Sequence, residues 1–245
     1  MSLVSIWKMM DKQRFEHVYQ PLWDLFNWSI FGYESLLRVN GINNVEHLFQ
    51  KAREEGCLYE LDVTSLESSI VQFPFLEKKG RLLFLNVYPS TVLHHEFKPF
   101  LKRVVERFPY IENRIVFELN ETKEEEGIWK DEELKAAIAW MRRYGFYIAI
   151  DDVGKGASTL QKIIELQPDY VKLDRYFAQG LAADEEKQKM VSLLTSYCGR
   201  KMVLILEGIE EEVDLAQAKL LRVPAAQGYL LGKPGKLPLA KDRYW

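Results

Sequence analysis

Short, unbroken apolar runs recur along the chain and constrain its fold more than any other feature. Leu82–Val87 reads LLFLNV, Arg114–Leu119 reads RIVFEL, Phe146–Ile150 reads FYIAI and Met202–Leu206 reads MVLIL. Runs apolar at nearly every position, rather than at alternate ones, are strands covered on both faces, as in a parallel sheet. Tyr170–Leu173 and Ala226–Leu231 add two shorter strands, and Glu16–Trp23 and Ser29–Leu37 precede them all. Amphipathic stretches fall between the runs: Val45–Glu55, Leu61–Phe73, Phe97–Phe108, Glu132–Tyr144, Leu160–Leu166, Glu185–Tyr197 and Glu211–Leu221. Pro109 ends the third of these. Gly145 follows the fourth, whose first turn is acidic, the polarity a helix favours.

Eight strands with helices between most of them predict a closed α/β barrel, and such barrels typically take about 250 residues as one domain. The chain has 245 residues and no visible linker or repeat, so one domain over 1–245 is expected. The first two strands are separated only by residues too few for a crossover, so they must pair antiparallel. The prediction is therefore a modified (β/α)8, TIM-like barrel with an antiparallel first strand.

Composition narrows the function. With a net charge of −3 nothing basic dominates, so an electrostatically driven DNA or RNA binder is not expected, while a small phosphate ligand needs only local positive charge. No apolar run approaches the roughly 20 residues that cross a membrane, and no secretory signal is evident, so a cytoplasmic protein is expected. Cys57 and Cys198 form no CxxC pair and read as two idle thiols in a reducing compartment.

In a barrel, polar residues at the C-terminal ends of strands are where chemistry is carried. Glu34 lies in GYESLLR, Asn86 ends LLFLN, Glu118 ends RIVFE and Asp151 and Asp152 follow FYIAI. Lys172 interrupts DYVKLD, Glu207 follows MVLIL and Gln227 opens the last strand. Five carboxylates converging on one rim would raise one another's pKa unless cations offset them. Two divalent ions and Lys172 would cancel the rim almost completely, by a formal count of about −5 +4 +1. All-oxygen ligands point to hard ions, Mg²⁺ or Mn²⁺. Paired aspartates bridging two ions about 3.5–4 Å apart are the usual two-metal hydrolase arrangement.

These pieces, in this order, resemble the EAL domain family of cyclic-di-GMP phosphodiesterases and receptors. The matching segments are Tyr19-Gln20-Pro21, Gly32 to Arg38, Leu85-Asn86-Val87, Phe117 to Glu121 and Asp151 to Gly154. Val171 to Arg175, Glu207 to Glu210 and Gln227-Gly228-Tyr229 complete the set, so the resemblance covers about 20–234. It implies that Glu34, Asn86, Glu118 and Asp151 hold a first metal, with Asp152 and Glu207 beside a second. It implies that Lys172 orients the attacking water, that Glu207 takes its proton, and that Glu121 steadies the loop after Asp152. Gln20, Leu36, Arg38, Asp174, Arg175, Glu210 and Gln227 would line the dinucleotide groove. The implied reaction opens one phosphodiester of cyclic-di-GMP to give linear pGpG, and the implied assembly is a homodimer.

The sequence departs from the family pattern at three places. Ser35 stands where Ala is usual and is expected to matter little, being small. Asn120 replaces a Thr. Val153 to Ser158 reads VGKGAS where FGTGYS is typical, which bears on turnover and on dimer coupling. Two functions follow: a metal-dependent phosphodiesterase, favoured by the complete ligand set, or a cyclic-di-GMP receptor that turns over slowly or not at all. Other motifs read as structural. Gly154 to Thr159 lacks phosphate-loop spacing, His94-His95 reads as a solvated turn and Glu124 to Glu126 as a solvated loop. Trp23 and Trp140 are expected in the core or the helix layer.

Overall fold

The computed structural model describes residues 15–120, 122–130, 132–154 and 159–237. Eight strands close into a barrel in chain order: β1 (Phe15–Asp24), β2 (Ser29–Val39), β3 (Leu82–Val87), β4 (Ile115–Leu119), β5 (Tyr147–Val153), β6 (Tyr170–Leu173), β7 (Val203–Leu206) and β8 (Ala225–Ala226). Strands β2 to β8 run parallel, and β1 is antiparallel to both its neighbours, β2 and β8. The tight turn after β1 forces that inversion. Asp24 holds the turn by accepting the N–H groups of Phe26 at 2.8 Å and Asn27 at 2.9 Å.

The helices are α1 (Val45–Glu54), α2 (Leu58–Gln72), α3 (Pro89–Leu93), α4 (Phe97–Arg107), α5 (Glu132–Arg143), α6 (Thr159–Leu166), α7 (Glu185–Cys198) and α8 (Glu212–Leu220). Their ends follow local chemistry. Asn44 caps α1 by accepting the His47 N–H at 3.0 Å, and Asp184 caps α7. Helix α5 runs from Glu132 and Glu133 to Arg142 and Arg143, and Gly145 beyond it sits at φ 80°. The short α3 was not expected from the sequence; Pro89 starts it with its fixed φ. No helix among the described residues is long and apolar enough to cross a membrane. Cys57 and Cys198 are both buried and free.

Two strands differ from expectation. Strand β5 runs on to Val153 and takes both aspartates into the sheet, with a register shift between Ile150 and Val153. Strand β8 stops after Ala226, so Gln227 follows it instead of opening it. Just beyond its end the backbone approaches closely at Gly228, where a Cβ would lie 2.0 Å from the Ile209 carbonyl oxygen. The chain stays beside β7 and its extension through the Gln227 N–H to the Leu206 carbonyl and the Ile209 N–H to the Gln227 carbonyl, each at 3.0 Å.

Inside the barrel, Leu22, Phe84, Val116, Ala149, Ile205 and Ala225 form one buried cluster, with Tyr170 packed against it. Gly32 completes this level, because a Cβ there would meet the Phe84 ring at 2.8 Å. Side chains on a strand alternate between faces, so the residue two positions toward the C-terminal rim also points inward. Adding two to each parallel-strand position gives Glu34, Asn86, Glu118, Asp151, Lys172, Glu207 and Gln227. The antiparallel β1 is counted backward, which gives Gln20. The apolar level thus forms the floor for a polar level assembled from all eight strands.

Helix α2 is tied to β1 and β2 by polar contacts. Ser69 donates its hydroxyl to Ser35 Oγ at 2.6 Å, and Ser35 Oγ lies 2.9 Å from His17 Nδ1. Gln72 bridges the Phe15 carbonyl at 2.9 Å and the His17 N–H at 3.1 Å. Ser35 is therefore a bonded link in the core, not merely a small residue in place of Ala. Burial, helped by Arg38, lowers the His17 pKa to about 4. The unfolded chain binds a proton at His17 near the ordinary value of 6.5 and the folded one does not, so this contribution is complete above pH 6.5 and is lost as pH falls toward 4. The expected loss is up to about 3 kcal/mol. Urea unfolding of wild type and His17→Asn between pH 7 and 4.5 checks this: the variant should lose correspondingly less stability, and identical slopes would contradict the assignment.

Candidate active site

Lys172 stands at the centre of the polar level. Its Nζ lies 2.9 Å from Glu207, 3.0 Å from Glu118, 3.2 Å from Asp151 and 3.4 Å from Glu34. The lysine side chain is 1% exposed and that of Glu118 is 0% exposed. Burial alone would lower the lysine pKa, but Asp151, Glu118, Glu207 and Glu34 outweigh it and hold the ammonium well above its ordinary value. Burial raises the Glu118 carboxyl well above its ordinary value; Lys172 opposes the shift, and Glu34, Asp151 and Glu207 add to it. Glu207 is pushed up to about 8, by burial first, with Lys172 lowering it and Asp151 and Glu34 raising it. Burial first, and then repulsion from neighbouring carboxylates, holds Glu118 and Glu207 up despite the one ammonium beside them.

Glu34 is held from two sides. Asn86 Nδ2 donates to one of its oxygens at 3.3 Å and Gln227 Nε2 to the other at 2.8 Å. Asp151 and Asp152 are consecutive, and a regular strand would send them to opposite faces. Asp152 instead adopts φ 54° at the register shift, a bulge that re-aims the side chain. Asp151, Asp152 and Glu207 then each present an oxygen within 4.8 Å of the others.

This donor set fits divalent cations. It is all oxygen apart from Lys172, it lacks positive charge, and Glu118 Oε2 is buried with no hydrogen-bond donor among the described residues. The expected ligands Glu34, Asn86, Glu118, Asp151, Asp152 and Glu207 come together on one rim.

A cavity of about 650 Å³ opens beside this rim and reaches α1 and α2; Glu34, Asn86, Asp151 and Asp152 form its inner edge. Leu36 and Arg38, expected to contact a ligand, line it from the end of β2. Arg38 is exposed and donates one bond, at 2.9 Å, to the Leu37 carbonyl. Of the other expected groove residues, Gln20 and Gln227 belong to the polar level, while Asp174, Arg175 and Glu210 are not among the residues lining this cavity. Gln20 donates to the Gly232 carbonyl at 3.2 Å. Asp174 is buried and accepts the Tyr176 N–H at 2.9 Å, capping the turn that carries the exposed Arg175. Glu210 is exposed after β7. Glu121 and residues 155–158 lie outside the described residues.

Two buried carboxylates near the cavity escaped the sequence reading. Asp62 falls on the same helix face as Leu58, Leu61, Leu66 and Ser69, which was the available signal. Its pKa is pushed up to about 7, by burial first and by Glu125, against the Tyr88 N–H, Thr91 and Arg53. Glu125 corrects the expectation of a solvated glutamate run, because it is fully buried. His94 stacks on Tyr59 with ring centroids 3.8 Å apart, while His95 is exposed beside Glu96. Trp23 and Trp140 pack against the main core.

The EAL domain family model matches residues 5–234. The chain is 27% identical over 227 residues to the probable cyclic di-GMP phosphodiesterase PdeI of Escherichia coli K12, covering 89% of this chain and 28% of that protein. It thus spans well under half the length of that relative. Among solved structures, the c-di-GMP complex of the PaMucR phosphodiesterase matches with a TM-score of 0.82 at 20% identity, covering 98% of each chain. The manganese and cyclic-di-GMP complex of Klebsiella pneumoniae BlrP1 matches with a TM-score of 0.80 at 19% identity, covering 93% of this chain and 57% of that one.

Proposed function

The chain belongs to the EAL domain family, and we propose that its carboxylate rim hydrolyses one phosphodiester bond of cyclic-di-GMP to give linear pGpG. The observation that carries this reading is the polar level around Lys172, where Glu34, Glu118, Asp151 and Glu207 all lie within 3.4 Å of one ammonium. Relatives named as cyclic di-GMP phosphodiesterases support the substrate class.

In this reading Glu34, Asn86, Glu118, Asp151, Asp152 and Glu207 hold two Mg²⁺ or Mn²⁺ ions. Such ions lower the pKa of water and offset charge on the phosphodiester. The chain's own residues do the rest. Lys172, fixed by its carboxylates, orients the attacking water, and Glu207 accepts its proton. The water oxygen bonds to phosphorus as one ester P–O bond of the ring breaks, and the departing ribose oxygen takes up a proton. Arg38 offers a planar, always charged fork to a phosphodiester oxygen at the cavity mouth. Asp174, Arg175, Glu210, Gln20 and Gln227 act as further groove contacts, and Glu121 steadies the loop after Asp152.

Arg38→Ala is expected to raise KM by about tenfold while leaving the single-turnover rate at saturation within about threefold. Equal losses in both would count against a binding role. The reading as a whole is tested by chromatography of cyclic-di-GMP incubated with the protein in Mg²⁺, Mn²⁺ or Ca²⁺. It predicts pGpG with Mg²⁺ or Mn²⁺. Intact, bound dinucleotide in all three would favour the receptor reading that Asn120 and the altered 153–158 segment suggest.

A further inference from the structure

The run Glu124-Glu125-Glu126 hides a residue unlike its neighbours. Glu125 ends a single 3-10 turn in the loop between β4 and α5, and its carboxylate is 0% exposed. It accepts the Ser90 N–H and the Ser90 hydroxyl, each at 2.7 Å, and pairs with the Arg53 guanidinium. Those partners belong to two other elements: Ser90 lies in the first turn of α3, and Arg53 near the end of α1. Arg53 in turn sits 5.1 Å from the centre of the Tyr88 ring, and the Tyr88 N–H donates to Asp62 of α2 at 3.1 Å. Engaging both oxygens in this way offsets the cost of burying the Glu125 carboxylate.

The loop that Glu125 holds starts at Asn120, two residues after the rim residue Glu118. Asn120 and Thr122 of that loop line the cavity, and so do Arg53 of α1 and Tyr88 just before α3. One carboxylate therefore ties two cavity walls together. The geometry points to Glu125 as a positioning residue: by locking the β4–α5 loop to α1 and α3, it holds the cavity beside the carboxylate rim in its working shape. Its kinetic consequence rests on the phosphodiesterase reading; the tie itself does not.

The test compares the full chain with Glu125→Ala, Glu125→Gln, Arg53→Met and the Glu125→Ala/Arg53→Met double variant. Hydrogen exchange followed by mass spectrometry reads the tie without turnover. Glu125→Ala should speed exchange in both 122–130 and 45–54; faster exchange in the loop alone would overturn the tie. Rates of cyclic-di-GMP hydrolysis in Mn²⁺, measured well below the unfolding temperature, read the positioning. Glu125→Ala should lower kcat/KM about tenfold or more. Glu125→Gln keeps an acceptor for Ser90 and should recover much of that loss, and the double variant should be no worse than the poorer single one, because the pair acts as a unit. An unchanged kcat/KM in a variant whose loop has loosened would overturn the positioning role. If Glu125→Ala does not fold, Glu125→Gln and Arg53→Met carry the comparison. A wild type without turnover would instead sink the phosphodiesterase reading; cyclic-di-GMP affinity then replaces kcat/KM, with a loss of about tenfold expected and an unchanged affinity contradictory.

Discussion

Lys172→Met is expected to destabilise the folded protein by about 3–5 kcal/mol near neutral pH, because it removes the one cation from a buried carboxylate cluster. The four oxygens at 2.9 to 3.4 Å would face one another with no opposing charge. The pH dependence has a definite sign. Glu207 already titrates near 8 in the folded protein, against an ordinary value of 4.5, so the folded state holds a proton that the unfolded state releases. Stability from this group is fully present below pH 4.5 and is lost as pH rises toward 8. Lys172 lowers that value, so its removal should steepen the decline. Urea unfolding at pH 5.5 and 7.5 should show a larger deficit for the variant at the higher pH, partly restored by Mn²⁺. A variant as stable as wild type at both values would mean that the rim does not depend on Lys172.

Glu34→Ala and Glu207→Ala should each lower turnover by about three orders of magnitude or more while the fold is kept. Glu34 is anchored by Asn86 and Gln227, so its loss removes a proposed metal ligand and frees both amides. Glu207 is the proposed proton acceptor as well as a ligand. Circular dichroism and unfolding midpoints would confirm that the variants fold, and initial rates with Mn²⁺ would read the chemistry. Full turnover in either variant would show that the metal assignment is wrong.

The barrel was legible because burial of a strand on both faces leaves its mark at nearly every position, as in Leu82–Val87. The rim was legible because alternation along a strand places a polar residue two steps beyond an apolar one, as in Val116 and Glu118 or Tyr170 and Lys172. What stayed hidden depends on backbone events and on partners distant in the chain. Asp152 was expected on the rim, but the left-handed backbone that brings it there, at φ 54°, leaves no mark in the strand pattern. The close packing of Gly228 on Ile209, just past the end of β8, leaves no mark in the strand pattern either. Glu125 looks solvated within a run of three glutamates, and only Arg53 and Ser90, 72 and 35 positions away, make it a buried residue. Ser35 looks like a tolerated small residue until His17 and Ser69 appear on either side of it.

Calorimetric titration of the protein with Mn²⁺ beside Glu118→Gln tests whether the rim around Lys172 is a two-ion centre. The account predicts two ions per chain for the wild type, with proton release as Glu207 ionises, and fewer or far weaker ions for the variant. A wild type that binds no Mn²⁺ at millimolar concentration, or a variant that binds it equally well, would contradict it.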